Sequence, residues 1–135
     1  MSYKLLLSPW KNEFIDVISK TREELFMSSP FINVEGVRIL SDAVQTKSSI
    51  EISFITNLTT QNIVNGITEP AALLELYKQF TNVKISSLGR LHAKVYLIDN
   101  KIGIITSANL TRGGLVNNFE YGVLIDDKDI ISTIK

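Results

Sequence analysis

Cysteine is absent from the 135-residue chain, and histidine occurs once, as His92. The first absence excludes a disulfide framework, a zinc–thiolate site and a cysteine nucleophile. The second excludes a metal site built from several histidines of one chain. Net charge is missing too, because 14 Lys and Arg balance 14 Asp and Glu. No basic tail or charge block marks bulk nucleic-acid binding, so any affinity for phosphate has to be local. No apolar run is long enough to span a bilayer, and the one in MSYKLLLSPW is too short for a signal peptide. Without a secretion signal the sequons at Asn57-Leu58-Thr59 and Asn109-Leu110-Thr111 are discounted, and a cytoplasmic protein is the expectation. Repeats, low-complexity segments and linkers are also lacking.

What remains is a globular composition, 44% hydrophobic, in a chain of one domain with room for a real core. Tyr3 to Leu7 reads as a strand. Ser8-Pro9 reads as the cap and first position of a helix whose apolar stripe is Trp10, Phe14, Val17 and Ile18. Glu24 to Met27 reads as a second strand. The polar Ser28-Ser29-Pro30 that stops it is either a plain loop or part of a cleft lining. A helix over Gly36–Val44 and a strand over Ile50–Ile55 follow. Thr56 to Thr68 is long for a connection and is read as a lid or substrate-contact loop. Pro70 opens a helix that places Leu73, Leu76, Tyr77 and Phe80 on one face. Further strands fall at Val83–Ser86, Leu91–Ile98, Ile102–Ser107 and Phe119–Ile125, and Asp127 begins a last helix that the chain leaves unfinished. Asp99-Asn100-Lys101 is too short for a crossover, so its flanking strands form an antiparallel hairpin. The early alternation of strand and helix implies parallel pairs. The expectation is therefore an α/β fold with a mixed, mostly parallel sheet flanked by helices. The unfinished helix points to a domain, residues 1–135, cut from a longer protein.

The stretch Leu91 to Tyr121 organises the rest. Val95-Tyr96-Leu97-Ile98 and Ile102-Gly103-Ile104-Ile105 read as strands buried on both faces. Polar residues sit at their ends. His92 and Lys94 are two apart and share a strand face, Ser107 and Asn109 repeat that spacing, and Glu120 follows a Gly-containing loop. Polar groups at the ends of buried strands are costly unless partnered, which marks a site.

His92-x-Lys94, then Asp99, then Ser107-x-Asn109 resembles the HKD motif of the phospholipase D superfamily. That superfamily includes lipid hydrolases, phosphatidyl transferases, metal-independent nucleases and the catalytic domains of some restriction enzymes. Where the usual pattern has Gly before the Ser, this chain has Thr106; Glu120 stands where a Glu is typical. The resemblance covers roughly the last third of the chain. It implies a half-unit of the phospholipase D fold, a covalent phosphohistidine intermediate, and no metal or other cofactor.

Phosphodiester oxygens repel an incoming nucleophile, and a neutral imidazole avoids part of that repulsion. His92 is the candidate nucleophile. Glu120 is expected to hold the proton on its other nitrogen, as Asp does in a serine triad. Lys94 supplies positive charge to the non-bridging oxygens, and Asn109 adds a neutral donor. Ser107 is either a second phosphate ligand or a turn residue. Asp99 has an odd offset from His92, so a regular strand points it away from the site; at a hairpin turn it reads as structural. Arg90 and Arg112 flank the motif and read as surface arginines.

The reaction also needs a general acid, which the family supplies from a second motif, and this chain has one His. The expectation is a homodimer in which both copies of His92 face one site. Small single-motif members of the family are mostly nucleases, and no amphipathic basic helix or apolar anchor appears. DNA is the expected substrate, no membrane is expected as a partner, and neutral charge suits a catalytic piece that relies on a separate DNA-recognition domain. The competing readings are a non-catalytic DNA-binding or dimerisation module and a phospholipid phosphodiesterase.

Overall fold

A seven-stranded sheet forms the centre of the computed structural model, which describes residues 3–44 and 49–134. The strands are β1 (Tyr3–Leu7), β2 (Glu24–Ser28), β3 (Glu51–Thr56), β4 (Asn82–Ser87), β5 (Lys94–Ile98), β6 (Ile102–Thr106) and β7 (Tyr121–Ile125). The helices are α1 (Lys11–Ile18), α2 (Val34–Ala43), the short α3 (Thr60–Val64), α4 (Pro70–Gln79) and α5 (Lys128–Ile134). Strand order across the sheet is β1-β7-β6-β5-β2-β3-β4.

Helices α1, α2 and α4 cover one face. Phe14, Val17 and Ile18 of α1, Val37 and Leu40 of α2, and Leu76 of α4 pack there on Leu25, Met27, Ile52, Phe54, Tyr96 and Ile104. Helix α5 covers part of the other face, where Ile131 meets Val95 and Leu97. Strand β5 is thus sandwiched, and Val95, Tyr96, Leu97 and Ile98 are all buried, as their unbroken apolar run requires. Trp10, Phe14 and Tyr96 stack edge to face in series, with ring centroids 5.4 Å apart at each step.

The fold is α/β with a mixed sheet and an antiparallel β5–β6 hairpin, as the sequence indicates. The parallel share is smaller than expected. Only β2–β3 and β3–β4 pair parallel, and β2–β5, β5–β6, β6–β7 and β1–β7 are antiparallel. The reason is the placement of β1. Both sides of β2 are taken by β3 and β5, so β1 lies at the far edge against β7.

Four local expectations also change. Helix α1 begins at Lys11 after Trp10, and Ser8 does not cap it. The Ser8 hydroxyl instead accepts the Glu120 N–H at 2.6 Å. Strand β5 begins at Lys94, so His92 lies in the segment leading into it. Tyr77 is exposed, and the buried residues of α4 are Ala72 and Leu76. The Thr56–Thr68 connection contains α3, capped by the Thr59 side chain. A π-helical turn over Gly113–Asn117 had no signal in the periodicity.

Candidate active site

Strand direction collects the polar residues. Strands β1, β2, β3, β4 and β6 end, and β5 and β7 begin, at one edge of the sheet. That edge receives Ser8, Ser28 and Ser29, Thr56, the segment His92 to Lys94, Ser107 to Asn109, and Glu120. Residues more than a hundred positions apart in sequence therefore share one border.

His92 is exposed and Lys94 half-buried. The segment between them is pinned to the end of β2 by the Ser28 hydroxyl, which donates to the Ala93 carbonyl at 3.0 Å. The Lys94 ammonium lies 3.4 Å from Nδ1 and 3.3 Å from Nε2 of His92. A nitrogen so nearly equidistant cannot align with both in-plane lone pairs, so this is close juxtaposition rather than one well-directed bond. An ammonium is a donor only, so the contact is favourable with a ring nitrogen that carries a lone pair. Although His92 lies outside the strand, the two side chains meet as their spacing suggests.

Asn109 has a fixed orientation. Its Oδ1 accepts the Phe31 N–H at 3.2 Å and lies 3.2 Å from the Ser29 hydroxyl. A backbone N–H can only donate, so the carbonyl end faces Phe31 and the Nδ2 hydrogens are left without a partner among the described residues. Fully buried Ser29 holds this corner together: its Oγ accepts the Leu110 N–H at 2.8 Å and donates to the Phe31 carbonyl at 2.6 Å. Two glycines grip the same backbone. A Cβ on Gly114 would lie 2.2 Å from the Asn109 carbonyl oxygen, and one on Gly36 would lie 2.2 Å from that of Leu110.

Glu120 is placed differently from expectation. Its Oε1 accepts the Ser107 hydroxyl at 2.6 Å, and its Oε2 accepts the Asn118 amide at 3.4 Å, with no hydrogen bond to His92. Ser107 accepts the Tyr121 N–H at 3.2 Å. The single hydroxyl proton of Ser107 is thus committed to Glu120 and is not free for a phosphate oxygen in this arrangement. Beneath the site, burial raises the pKa of the Tyr96 phenol far above the ordinary range; the adjacent Ser29 side chain opposes this and the Glu120 charge adds to it. Tyr96 therefore remains protonated, donating to the Ala108 carbonyl at 3.1 Å.

Asp99 faces away from this edge. With Asn100 it occupies left-handed backbone in the β5–β6 turn, φ 55° and 54°. Its carboxylate accepts three successive backbone N–H groups, from Arg22 at 3.0 Å, Glu23 at 2.8 Å and Glu24 at 2.9 Å. Arg112 pairs with Glu35 at 3.1 Å on the surface, and Arg90 is exposed in the loop before His92, at φ 63°. Thr106, the departure from the motif, stands opposite Gly122 in the β6–β7 register. A Cβ on Gly122 would lie 2.9 Å from that of Thr106, so the missing small residue on β6 is offset by one on β7.

Sequence reasoning missed Ser8, the fixing role of Ser29, and the glycines at positions 36, 114 and 122. Only the polar end of β2 gave a signal, and it was ambiguous. Among the described residues, no group of three or more His, Cys, Asp and Glu is arranged to hold a metal ion. No helix there is long and apolar enough to cross a membrane.

The chain is similar to cardiolipin synthase A of Buchnera aphidicola subsp. Acyrthosiphon pisum, 24% identical over 115 residues, which is 85% of this chain and 24% of the relative. It thus spans about a quarter of the length of that relative. Among solved structures it superposes on NucT from Helicobacter pylori with a TM-score of 0.75 at 20% identity, covering 98% of this chain and 90% of that one. Nuc from Salmonella typhimurium, described as a phospholipase D family member, gives a TM-score of 0.74 at 16% identity, with coverage of 98% and 88%. These structures show the shared fold. The family described as "Cardiolipin synthase, PLD-like domain" matches residues 14–135. With His92, Lys94, Ser107 and Asn109 gathered on one sheet edge and a family match over nearly the whole chain, this protein belongs to the phospholipase D-like family.

Proposed function

We propose that this chain is a metal-independent phosphodiesterase, a DNA endonuclease of restriction or repair type, acting through a phosphohistidine at His92 in a site shared by two copies. The observation that carries the reading is the meeting of the lone imidazole with the Lys94 ammonium, 3.3 Å apart, at the sheet edge that also receives Asn109, whose amide donors have no partner among the described residues. A neutral His92 nitrogen attacks phosphorus, and the bond from phosphorus to the leaving oxygen breaks. That oxygen takes a proton from His92 of the partner subunit. Water then attacks the phosphohistidine, the same acid group accepts its proton, and the phosphorus–nitrogen bond breaks. Lys94 and Asn109 stabilise charge on the non-bridging oxygens. For Glu120 to orient the His92 ring, its carboxylate has to bring a lone pair to the ring N–H, a bond absent from this arrangement. One histidine must start neutral and its twin protonated, so the rate profile is bell-shaped in pH.

The match to cardiolipin synthase A favours a second reading, hydrolysis or transfer on phospholipid. Wild-type protein assayed in EDTA on DNA and on phospholipid vesicles separates the two. The expected result is DNA cleavage that survives chelation. Turnover confined to vesicles supports the lipid reading, and DNA binding without turnover on either supports a non-catalytic module.

A further inference from the structure

Three fully buried hydroxyls, on Ser29, Thr56 and Thr68, converge on the bend Ser29-Pro30-Phe31 that follows β2. The Pro30 carbonyl accepts the Thr56 hydroxyl at 3.1 Å and the Thr68 hydroxyl at 3.3 Å. The Ser29 N–H donates to the Ile55 carbonyl at 3.0 Å, which ties the bend to the end of β3. Thr68 closes the 56–68 connection onto the same bend through its bridge to Ile32. Burial makes each of these bonds costly to lose, so the network favours a single arrangement of the bend.

What the bend offers Asn109 is its Phe31 N–H, 3.2 Å from Oδ1. The Ser29 hydroxyl has one proton and two carbonyl oxygens in reach, that of Phe31 at 2.6 Å and Oδ1 of Asn109 at 3.2 Å. The shorter contact takes the proton, while Oγ accepts the N–H of Leu110, the residue after Asn109, at 2.8 Å. Ser29 thus holds both the bend that supplies the fixing donor and the backbone that carries the amide. A side-chain amide is otherwise free to turn over, because its last torsion is broad and roughly two-fold. Turned over, Asn109 would set its Nδ2 hydrogens against the Phe31 N–H, donor against donor. We infer that Ser29 is a positioning residue for phosphodiester cleavage, presetting the Asn109 amide so that its hydrogens are ready for a non-bridging oxygen. A donor fixed in advance needs no rearrangement as charge develops on that oxygen. The inference rests on the phosphodiesterase reading above, in which Asn109 meets the phosphate.

The test is a double-mutant cycle read as kcat on a chromogenic phosphodiester in EDTA, well below the thermal midpoint of every variant. Asn109→Ala lowers kcat about 10²- to 10³-fold, as loss of one preset donor implies. Ser29→Ala lowers it roughly 10- to 100-fold, as a misplaced group implies, but less than about 2-fold further once Asn109 is already alanine. Ser29→Cys fills the buried space with a weak donor and acceptor and shows the same dependence on Asn109, which decides the matter if Ser29→Ala fails to fold. Losses that multiply overturn the inference, because Ser29 then acts through the fold at large. Wild-type kcat in Ser29→Ala, or in Asn109→Ala, overturns it too. The Asn109 side-chain amide resonances give a reading without turnover: a resolved, sharp pair in wild type that broadens in Ser29→Ala as the amide samples both orientations. Resonances that stay sharp overturn the inference. A wild type that turns over no phosphodiester yet shows this broadening in its Ser29→Ala variant defeats the phosphodiesterase reading and keeps the positioning.

Discussion

Replacing His92 by alanine is expected to lower phosphodiester turnover by at least about 10³-fold while leaving the fold intact. The two halves of that expectation come from different features. The ring is the only imidazole in the chain, so no neighbour can replace it as nucleophile. It is also exposed, lies before β5 rather than in it, and has the Lys94 ammonium as its hydrogen-bond-distance neighbour among the described residues, so removing it opens no cavity and strands no buried group. The rate is read on a chromogenic phosphodiester in EDTA, and the fold by a thermal melt of both proteins. A variant that keeps more than about a tenth of wild-type turnover removes His92 from the covalent step.

Asp99→Ala is expected to do the reverse. The carboxylate ties the β5–β6 turn to the start of β2 by three backbone N–H groups. Bonds to a charged acceptor are each worth roughly 1.5–3 kcal/mol, but these are partly exposed and share one carboxylate, so the loss is about 2–4 kcal/mol in all. Alanine also sits poorly at φ 55°, a conformation that Asp and Asn tolerate better. The thermal midpoint should fall by roughly 10 °C while folded molecules retain turnover at low temperature. Asp99→Asn, which suits the backbone and keeps an acceptor, should fall less. An Asp99→Ala protein of wild-type stability without activity would place this carboxylate in the chemistry instead.

The contrast shows what can be read from one chain. The apolar run Val95–Ile98 and the three-residue turn after it were legible because burial on both faces and a short connection leave one arrangement. His92, Lys94 and Asn109 were legible as residue types at a spacing. Their partners were not. Glu120 meets Ser107 thirteen positions away and Ser8 112 positions away, and Asn109 is oriented by Phe31, 78 positions away. Such pairings depend on strand order, and local periodicity says nothing about order. The same limit hid the neighbour of β1. Its pattern of Leu5, Leu6 and Leu7 is apolar on both faces and carries no hint that β7 is its neighbour. Glycines 36, 114 and 122 are close-approach residues whose need arises only when two backbones are brought together.

Subunit exchange tests the central claim most directly. Wild-type chains are equilibrated with an equal amount of His92→Ala chains, and activity is compared with the same total of wild type. If one site draws a histidine from each copy, only wild-type pairs turn over and about a quarter of the activity remains. If each chain carries a complete site of its own, about half remains, and that result would contradict the account.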